Sequence, residues 1–370
     1  MSKTVTVRDI AHRANVSNGT VSRVLNGHVN VADDLRRRVI EAVNELGYTP
    51  SRRQHATEVL RLRSIGFLLT LPHLEPAQDF MAPFWAHLLH GAETQAARIG
   101  AQVTYCSLPG RHLASADILQ RIADLRLDAT LLVGAPSPAV VEAVQELRIP
   151  VVVLDSILDP DDSGGKPQDA VVPDYFRGTY LVTRELISAG HRHVAFIGGP
   201  MCPDLVRNAV PAIEMRARGF REALIHAGLA PRPELIAASD LTQQGGYETT
   251  RDLLAMHPCI TSLVCANDAL ASGAIRALRD QGRRVPEEIS VVGGSDELGE
   301  HTFPRLTSYR FDQSALGALA VQRLARRAKN PGSQAVTTIL PVEIVGRQSV
   351  LPPPEGQKTG VLAATSTPGL

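Results

Sequence analysis

From Ile65 onward, short β-rich runs alternate with longer amphipathic stretches, and this alternation limits the folds open to the chain. The runs IGFLL, QVTYC, ATLLV and VVVLD form one series, and DAVVP, HVAFIGG, SLVCA and ISVVGG form a second. Alternation of this kind favours parallel sheets wrapped by helices, and two series predict an α/β body with two lobes. The predicted helices of this body lie at Trp85–Ile99, Ala114–Leu125, Ala139–Leu147, Tyr175–Ala189, Ala212–Ala227, Gln243–Ala255 and Asp268–Gln281.

Residues 1–50 have a different pattern, which predicts three short helices. Val7–Ala14 carries apolar residues on one helical face. Ser17 is a favourable N-cap for the second helix, and Asn15 tolerates the left-handed backbone of a tight turn before it. The third helix is expected over Asp33–Leu46, with its acidic residues in the first turn.

The stretch VRDIAHRANVSNGTVSRVLN meets the steric needs of a helix-turn-helix, in which the second helix presents its N-terminal face to a major groove. That face carries Asn18, Gly19 and Arg23, and Arg and Asn side chains pair bidentately with guanine and adenine. Ser17, Thr20, Ser22 and Asn26 are candidate phosphate contacts. The alternative interpretation is a helical hairpin that belongs to a bundle.

Charge is unevenly distributed along a chain whose net charge is +0. Residues 1–65 hold eleven Lys and Arg residues against six acids, so the remainder carries an acidic excess. This asymmetry indicates a basic module that binds a polyanion, although a short basic segment is also common on a solvated face.

Composition narrows the function classes. A length of 370 residues predicts two or three compact units, and the apolar runs are too short for a membrane helix. The N-terminal residues lack the apolar region of a secretory signal, and Cys106, Cys202, Cys259 and Cys265 have no paired spacing. These features predict a cytoplasmic protein. There is no phosphate loop or nucleophile elbow, so we expect no enzyme activity and no cofactor. His191 and His193 have no third ligand within reach in the sequence, so we expect no metal site.

The segments NVSNGTVSRVLN and RRRVIEAVNELGYTP resemble the recognition helix and third helix of the LacI/GalR family of bacterial transcription regulators. The resemblance continues through SIGFLL, PFWAHLLHGAE, GHRHVAFIGG, RARGFREALIHAGL, VCANDALASGAIRAL and EISVVGG, to about Arg347. It implies a DNA-binding headpiece at 1–50, a hinge linker at 51–64 and a two-lobed, periplasmic-binding-protein-like domain at 65–350 for effector binding and dimerisation. Residues 351–370 are rich in Pro, Gly, Thr and Ala and are expected to form a disordered tail.

For function, the resemblance implies a homodimer that binds double-stranded DNA at a palindromic operator under the control of a small effector. A sugar, sugar acid or derivative is the expected effector. Base reading falls on Asn18, Gly19 and Arg23, although Gly19 has no side chain with which to read a base. In the hinge, Thr57 stands where the family inserts a leucine into the minor groove, so either Val59 or Leu60 replaces it or the operator is bent less.

Effector contacts are expected where strands end, because two-lobed α/β bodies bind ligands at the carboxyl ends of their strands. Asp155, Asn267 and Asp296 each follow a predicted strand. The resemblance adds Arg216, and it places the aromatic pair Phe84 and Trp85 at the mouth of the first lobe. These residues also have ordinary structural roles, as helix caps, surface residues or core.

Two positions depart from the family pattern of the cleft. Ser295 replaces a usual acid, and Leu241 stands where an aromatic residue is common. Two other function classes share the body fold, namely a sugar-binding transport protein and an α/β enzyme. The transport protein would need a signal peptide, and the enzyme would need a phosphate loop or an acid/base pair.

Overall fold

The computed structural model describes residues 7–25, 32–46, 62–71, 83–109, 115–158, 167–198 and 211–354. The chain divides into two compact units, Met1–Arg61 and Leu62–Leu370. Asn26, the hinge residues Thr57, Val59 and Leu60, most of the predicted linker and the predicted tail beyond residue 354 lie outside the described residues.

The described residues of the first unit form three helices, α1 (Val7–Ala14), α2 (Asn18–Leu25) and α3 (Asp33–Glu45). Their apolar faces form a small core, which comprises Ile10, Ala11, Ala14, Val21, Val24, Val39 and Ala42. Each of these side chains lies at helical spacing, so the periodicity of the sequence accounts for the three helices and for which faces are buried.

The second unit alternates strands and helices. Its strands are β1 (Ser64–Leu71), β2 (Gln102–Pro109), β3 (Ala129–Gly134), β4 (Val151–Leu154), β5 (Asp169–Pro173), β6 (Val194–Ile197), β7 (Ile236–Ala237), β8 (Ser262–Cys265), β9 (Ser290–Val292), β10 (Ser308–Arg310), β11 (Thr337–Leu340) and β12 (Glu343–Val345). Its helices are α4 (Pro83–Arg98), α5 (Ser115–Ala123), α6 (Pro138–Glu146), α7 (Tyr175–Ser188), α8 (Pro211–His226), α9 (Gln243–Met256), α10 (Asp268–Asp280) and α11 (Gln313–Lys329).

These elements form two lobes, each built on a parallel sheet. The first lobe has the strand order β11-β5-β4-β3-β1-β2 and is covered by α4, α5, α6 and α11. The second has the order β7-β6-β8-β9 and is covered by α7, α8, α9 and α10. The α/β fold with parallel sheets wrapped by helices is therefore confirmed. None of the helices in the described ranges has the length and apolar character to cross a bilayer.

The assignment of the DAVVP run to the second series was wrong. This run is β5, and it pairs in parallel with β4 and β11 of the first sheet. The edge strand of that sheet, β11, comes from residues near the end of the described chain. No local sequence pattern reveals this pairing. β10 and β12 form a separate antiparallel pair that contacts α7 of the second lobe. The chain therefore passes between the lobes after β5, between β10 and α11, and between β11 and β12.

Close helix packing in the first lobe depends on glycine. A Cβ at Gly91 of α4 would overlap the backbone carbonyl of Ser314 in α11. Because Gly91 has no side chain, α4 and α11 approach closely and cover the sheet together.

Asp169, the first residue of β5, connects α11 to the first sheet. Its side chain is fully buried, and its two oxygens accept hydrogen bonds from Arg323 and Arg327 at 2.7 Å each. The backbone amide of Val336 donates a further bond at 2.8 Å. Burial acts to raise the pKa of Asp169, but these donors hold it below its ordinary value.

Replacing Asp169 with Asn should destabilise the protein by about 3–5 kcal/mol, because two partly buried arginines would lose their counter-charge. The matched control is Glu343→Gln, which removes an exposed ion pair with Arg310 and should cost at most about 1 kcal/mol. Thermal melting measures the stability of both variants.

Since the pKa of Asp169 is lowered by folding, the stabilisation that this carboxylate provides is present above the ordinary carboxyl pKa and is lost as the pH falls. The difference between wild type and Asp169→Asn should therefore shrink in acid, and equal costs for both variants would contradict this account.

Candidate functional site

The turn between α1 and α2 is closed by a side chain from α3. Asn15 has a left-handed φ of 53°, as its position in the tight turn predicts. Arg38 donates from Nε and Nη2 to the Ala14 carbonyl at 3.1 and 2.6 Å, and from Nη2 to the Asn15 carbonyl at 2.8 Å. These bonds satisfy carbonyl groups that the end of α1 leaves without a helical partner.

Ser17 begins the second helix as predicted. Its hydroxyl accepts from the backbone amide of Thr20 at 3.1 Å, and its carbonyl accepts from the amide of Val21 at 3.1 Å. The Ser17 hydroxyl also lies 2.9 Å from the Thr20 hydroxyl. This cap fixes the direction in which α2 leaves the turn.

The two sides of α2 differ in exposure. Val21 and Val24 are buried against α1 and α3, whereas Asn18, Gly19 and Arg23 are exposed. The nearest atom to a Cβ built at Gly19 is the Ser17 hydroxyl at 3.7 Å, so packing within the unit does not require glycine there. An exposed polar face on a firmly capped helix is suited to contact a groove.

In the second unit, several non-glycine residues with a left-handed backbone lie in loops that follow strands. Asp155 follows β4 with φ 70°, and Ser295 and Asp296 follow β9 with φ 82° and 54°. Leu241, in the loop before α9, has φ 67°. Non-glycine residues adopt this conformation at a cost, and such residues often cluster at binding sites.

Four side chains form a continuous buried network between the lobes. The Tyr175 hydroxyl, at the start of α7, donates to Asp155 of the first lobe. The guanidinium of Arg216 lies 3.5 Å from the centre of the Tyr175 ring. Arg216 also donates from Nε to the Tyr309 hydroxyl at 3.0 Å and from Nη1 to the Ala212 carbonyl at 3.1 Å.

The charges of this network are strongly perturbed. Burial raises the pKa of Asp155 to about 6, and the Tyr175 hydrogen bond and the nearby Arg216 only partly oppose it. Burial also disfavours the charged form of Arg216, but Tyr309, Tyr175 and Asp155 together raise its pKa above the ordinary value. Arg216 therefore remains a cation, and Asp155 titrates close to neutrality.

Aromatic rings line the first-lobe side of the same region. Phe84 and Trp85 are in edge-to-face contact at 4.7 Å between ring centres. Phe311, in the segment that joins the lobes, contacts Phe84 at 6.2 Å and Tyr175 at 5.9 Å. Phe84 is buried and Trp85 is half-buried, and Phe84 is connected to Tyr175 through the ring of Phe311.

A second polar contact joins the lobes. Gln313, the first residue of α11, donates from Nε2 to the carbonyl of Ser295 at 3.2 Å. Its Oε1 lies 2.8 Å from Nδ1 of His87 in α4. The backbone carbonyl of Ser295 is thereby hydrogen-bonded to a residue of the first lobe.

Asn267 and Asp296 already have protein partners. Asn267 caps α10 by accepting from the Leu270 amide at 2.8 Å, and its amide nitrogen donates to the Leu241 carbonyl at 3.0 Å. Both oxygens of Asp296 are bonded to Arg347, at 2.6 and 2.9 Å. Their assignment as effector contacts remains a prediction, and a ligand would have to share these groups with the protein.

Three residues of the region were not expected from the sequence. Tyr175 lies two residues after the end of β5, so its position offered a signal, but Tyr309 and Glu297 offered none. Burial and the charge of Asp268 raise the pKa of Glu297 to about 8, and Arg216 acts in the opposite direction. Within the described ranges, no group of three or more His, Cys, Asp or Glu side chains is arranged to hold a metal ion.

Comparisons with known proteins agree with both units. The profile of "Bacterial regulatory proteins, lacI family" matches residues 6–51, and that of "Periplasmic binding protein-like domain" matches residues 183–350. The ribose operon repressor of Haemophilus influenzae is 30% identical over 346 residues, which are 93% of this chain and 98% of that protein.

Solved structures give the same result. The transcriptional regulator CelR–cellobiose complex has a TM-score of 0.69 at 28% identity and covers 94% of this chain and 100% of its own. The lac repressor dimer bound to operator and the anti-inducer ONPF has a TM-score of 0.65 at 26% identity, with the same coverage.

Replacing Arg38 with Met should loosen the turn between α1 and α2, because three hydrogen bonds to carbonyl groups are lost while most of the side-chain packing remains. A hydrogen bond that involves a charged group contributes about 1.5–3 kcal/mol to stability. Amide exchange in α1 and α2 should therefore accelerate by at least about tenfold. Hydrogen-exchange mass spectrometry on the full chain measures this. The control Arg37→Met removes an exposed arginine of the same helix and should leave exchange unchanged. Equal exchange in all three proteins would contradict the role of Arg38.

Replacing Asp155 with Asn should stabilise the unliganded protein near pH 8 by about 1–2 kcal/mol, because the buried charge is removed and the attraction of Arg216 offsets only part of its cost. The sign follows from the raised pKa. Protonated Asp155 favours folding below the ordinary carboxyl pKa, and this advantage is lost as the pH rises through about 6. Melting curves of both proteins should converge towards pH 4 and separate above pH 6. A variant that is less stable at pH 8 would show that the carboxylate is a net stabilising group.

Proposed function

This chain belongs to the LacI family of bacterial regulatory proteins, and on that premise we propose that it represses transcription by binding a palindromic operator under the control of a sugar-like effector. The observation that carries the proposal is the exposed polar face of α2. The opposite face of this helix is buried, and its N-terminus is capped by Ser17. The relatives compared above are regulators and repressors, and for this chain we propose no catalytic activity and a cytoplasmic location.

In the proposed complex, Asn18 and Arg23 read base edges in the major groove. Gly19 supports this by leaving room for a base or sugar to approach the backbone of α2. Ser17, Thr20, Ser22 and Asn26 hold phosphates and fix the register. We further propose that the hinge enters the minor groove through Thr57, Val59 or Leu60.

The effector site is proposed to lie between the lobes, where Asp155 and Arg216 both contact Tyr175. Trp85 and Phe84 supply an aromatic wall, on which the apolar face of a sugar ring stacks. Asn267 offers its remaining amide hydrogen. Asp296 is the weakest candidate, because Arg347 holds both of its oxygens.

Coupling is proposed to act through the angle between the lobes in a homodimer. A ligand that bonds to Asp155 either replaces the hydrogen bond from Tyr175 or adds to it. In either case it favours one arrangement of the lobes over another. The linkers at the start of each body then change the spacing of the two headpieces. Coupling free energies of about 1–3 kcal/mol would change operator affinity by about 5–150-fold.

Two other functions are disfavoured by particular observations. A sugar-binding transport protein has no use for a basic three-helix unit that matches the lacI family profile. An α/β enzyme would need a reacting pair of groups, but Asp155 and Arg216 are bound to tyrosines that hold them in place.

Replacing Arg23 with Ala should abolish specific operator binding, because one bidentate contact to guanine is worth about 1–3 kcal/mol of discrimination and a dimer makes two. The full-length protein is used to select sequences from a randomised duplex pool. Wild type should enrich an inverted repeat with half-sites about 10 bp apart, and Arg23→Ala should enrich none.

The matched control is Arg13→Ala, which removes an exposed arginine of α1 that pairs with Glu45. It should bind all DNA somewhat more weakly but select the same repeat, because it changes charge without changing base contacts. Selection of the same repeat by Arg23→Ala would refute the proposal. So would selection of no repeat by wild type both without an effector and in the presence of a panel of sugars and sugar acids.

A further inference from the structure

Two segments that cross between the lobes run side by side and line a cavity. Residues 310–312 lead from β10 to α11, and residues 341–343 lead from β11 to β12. The antiparallel pairing of β10 and β12 ends at Arg310 and Glu343. Beside this last pair lies a cavity of about 400 Å³, within the range of about 300–1,000 Å³ that is usual for small-molecule sites. We call it the crossover cavity, and its lining residues are Arg310, Phe311, Asp312, Pro341, Val342 and Glu343.

The crossover cavity lies on the other side of Phe311 from the effector site proposed above. The ring of Phe311 is buried against the aromatic residues of that site. Because side chains alternate along an extended segment, Arg310 and Asp312 lie on the face opposite to this ring. Glu343 shares the face of Arg310, to which it is hydrogen-bonded. The cavity is therefore lined by charged side chains and is distinct from the cleft.

The backbone of both segments is unpaired where it lines the cavity. Within the described ranges, the N–H and C=O groups of Phe311 and Val342 form no hydrogen bond with the protein. Phe311 is nevertheless buried, and buried backbone groups are almost always paired with protein, water or a ligand. These four groups are available to a molecule in the crossover cavity.

The charged side chains of the cavity also have free hydrogen-bonding positions. Arg310 donates from Nε to Glu343 at 2.5 Å, and no described residue accepts from its two terminal NH₂ groups. One oxygen of Asp312 caps α11 by accepting from the Ala315 amide at 2.8 Å. No donor from the described part of the chain reaches the other oxygen of Asp312 or the second oxygen of Glu343. The cavity thus presents free donors on one guanidinium and free acceptors on two carboxylates.

From this arrangement we propose that the crossover cavity binds a free α-amino acid with an apolar side chain. The ligand carboxylate accepts from the terminal NH₂ groups of Arg310, which can form two parallel bonds with it. The ligand ammonium donates to the free oxygens of Glu343 and Asp312 and to an unpaired backbone carbonyl. Pro341 lies on the same face as Glu343 and provides an apolar surface for the ligand side chain.

The charges of the cavity favour a zwitterion over simpler ions. A carboxylate without an ammonium group would bring a third negative charge beside Glu343 and Asp312. An amine without a carboxylate would leave the donors of Arg310 unused and would face its positive charge. A ligand with both groups on one carbon complements both signs at once, and the mismatched charge rejects the others.

The first experiment is a thermal-shift screen of full-length protein with valine, leucine, isoleucine, methionine and phenylalanine, followed by calorimetry. At least one of these should bind saturably at one site per chain. The best ligand is then compared with its acid and its amine, which for leucine are 4-methylpentanoate and 3-methylbutylamine. Each lacks one charged contact and should bind at least about tenfold more weakly.

The termini of a peptide are a second source of these groups, but each terminus carries only one of the two charges. They are represented by the acetylated and the amidated forms of the same amino acid. Both should also bind at least about tenfold more weakly than the free amino acid.

Variants of the charged pair locate the site. Arg310→Gln should weaken the amino acid by at least about tenfold without weakening the amine, because the amine has no carboxylate for Arg310 to bind. Glu343→Gln should weaken the amino acid by a similar factor without weakening the acid. The matched controls Arg232→Gln and Glu234→Gln break an exposed ion pair before β7 and should leave all affinities unchanged. Melting curves establish that the four variants are folded.

The proposal is overturned if none of the five amino acids binds, or if the acid, the amine or a blocked form binds as tightly as the free amino acid. It is also overturned if Arg310→Gln and Glu343→Gln bind the amino acid as tightly as wild type, because the ligand would then lie elsewhere. These outcomes leave the proposed function untouched, since selection of an operator by the headpiece does not depend on this cavity.

Discussion

The hydrogen bond from Tyr175 to Asp155 joins the two lobes inside a buried region, and the other contacts of the cleft are arranged around it. Asp155 ends a strand of the first sheet, and Tyr175 begins the first helix of the second lobe. The ring of Tyr175 also supports the guanidinium of Arg216, which in turn positions Tyr309. A buried carboxyl and a buried guanidinium are costly, and the raised pKa of Asp155 shows that the cost is only partly recovered. Such a site suits a ligand that completes it.

The same comparison separates carboxyl groups whose charge is fully compensated by the protein from those whose charge is not. Asp169 has a full set of donors, and its pKa is lowered, so it stabilises the first lobe. Burial raises the pKa values of Asp155 and Glu297, so the protein compensates the charge of each carboxyl only in part. Asp296 belongs to the first kind, since Arg347 satisfies both of its oxygens. Position at the end of a strand does not by itself distinguish these cases.

Local patterns were sufficient for much of the fold. Helical spacing predicted α1, α2 and α3, and the preference of Asn15 for a left-handed backbone predicted the turn between the first two. The membership of β5 and β11 in one sheet could not be read from sequence, because it depends on pairing between segments far apart in the chain. The strand β7 has only two residues, which is too short for an alternating pattern of polar and apolar residues to be visible in the sequence. For the cleft, the end of a strand led to Asp155 and the resemblance to the LacI/GalR family led to Arg216, but the roles of Tyr175 and Tyr309 arise only from three-dimensional proximity.

The central claim is that ligand binding between the lobes and DNA binding by the headpiece are one coupled equilibrium. The most direct test is reciprocal titration of wild type with a labelled inverted-repeat duplex and with the uncharged sugar that stabilises the protein most. The account predicts that saturating sugar changes the Kd for DNA by about 5–150-fold, and that saturating DNA changes the Kd for the sugar by the same factor. If either Kd is unaffected by the other ligand, the lobes and the headpiece are not coupled and the account is wrong.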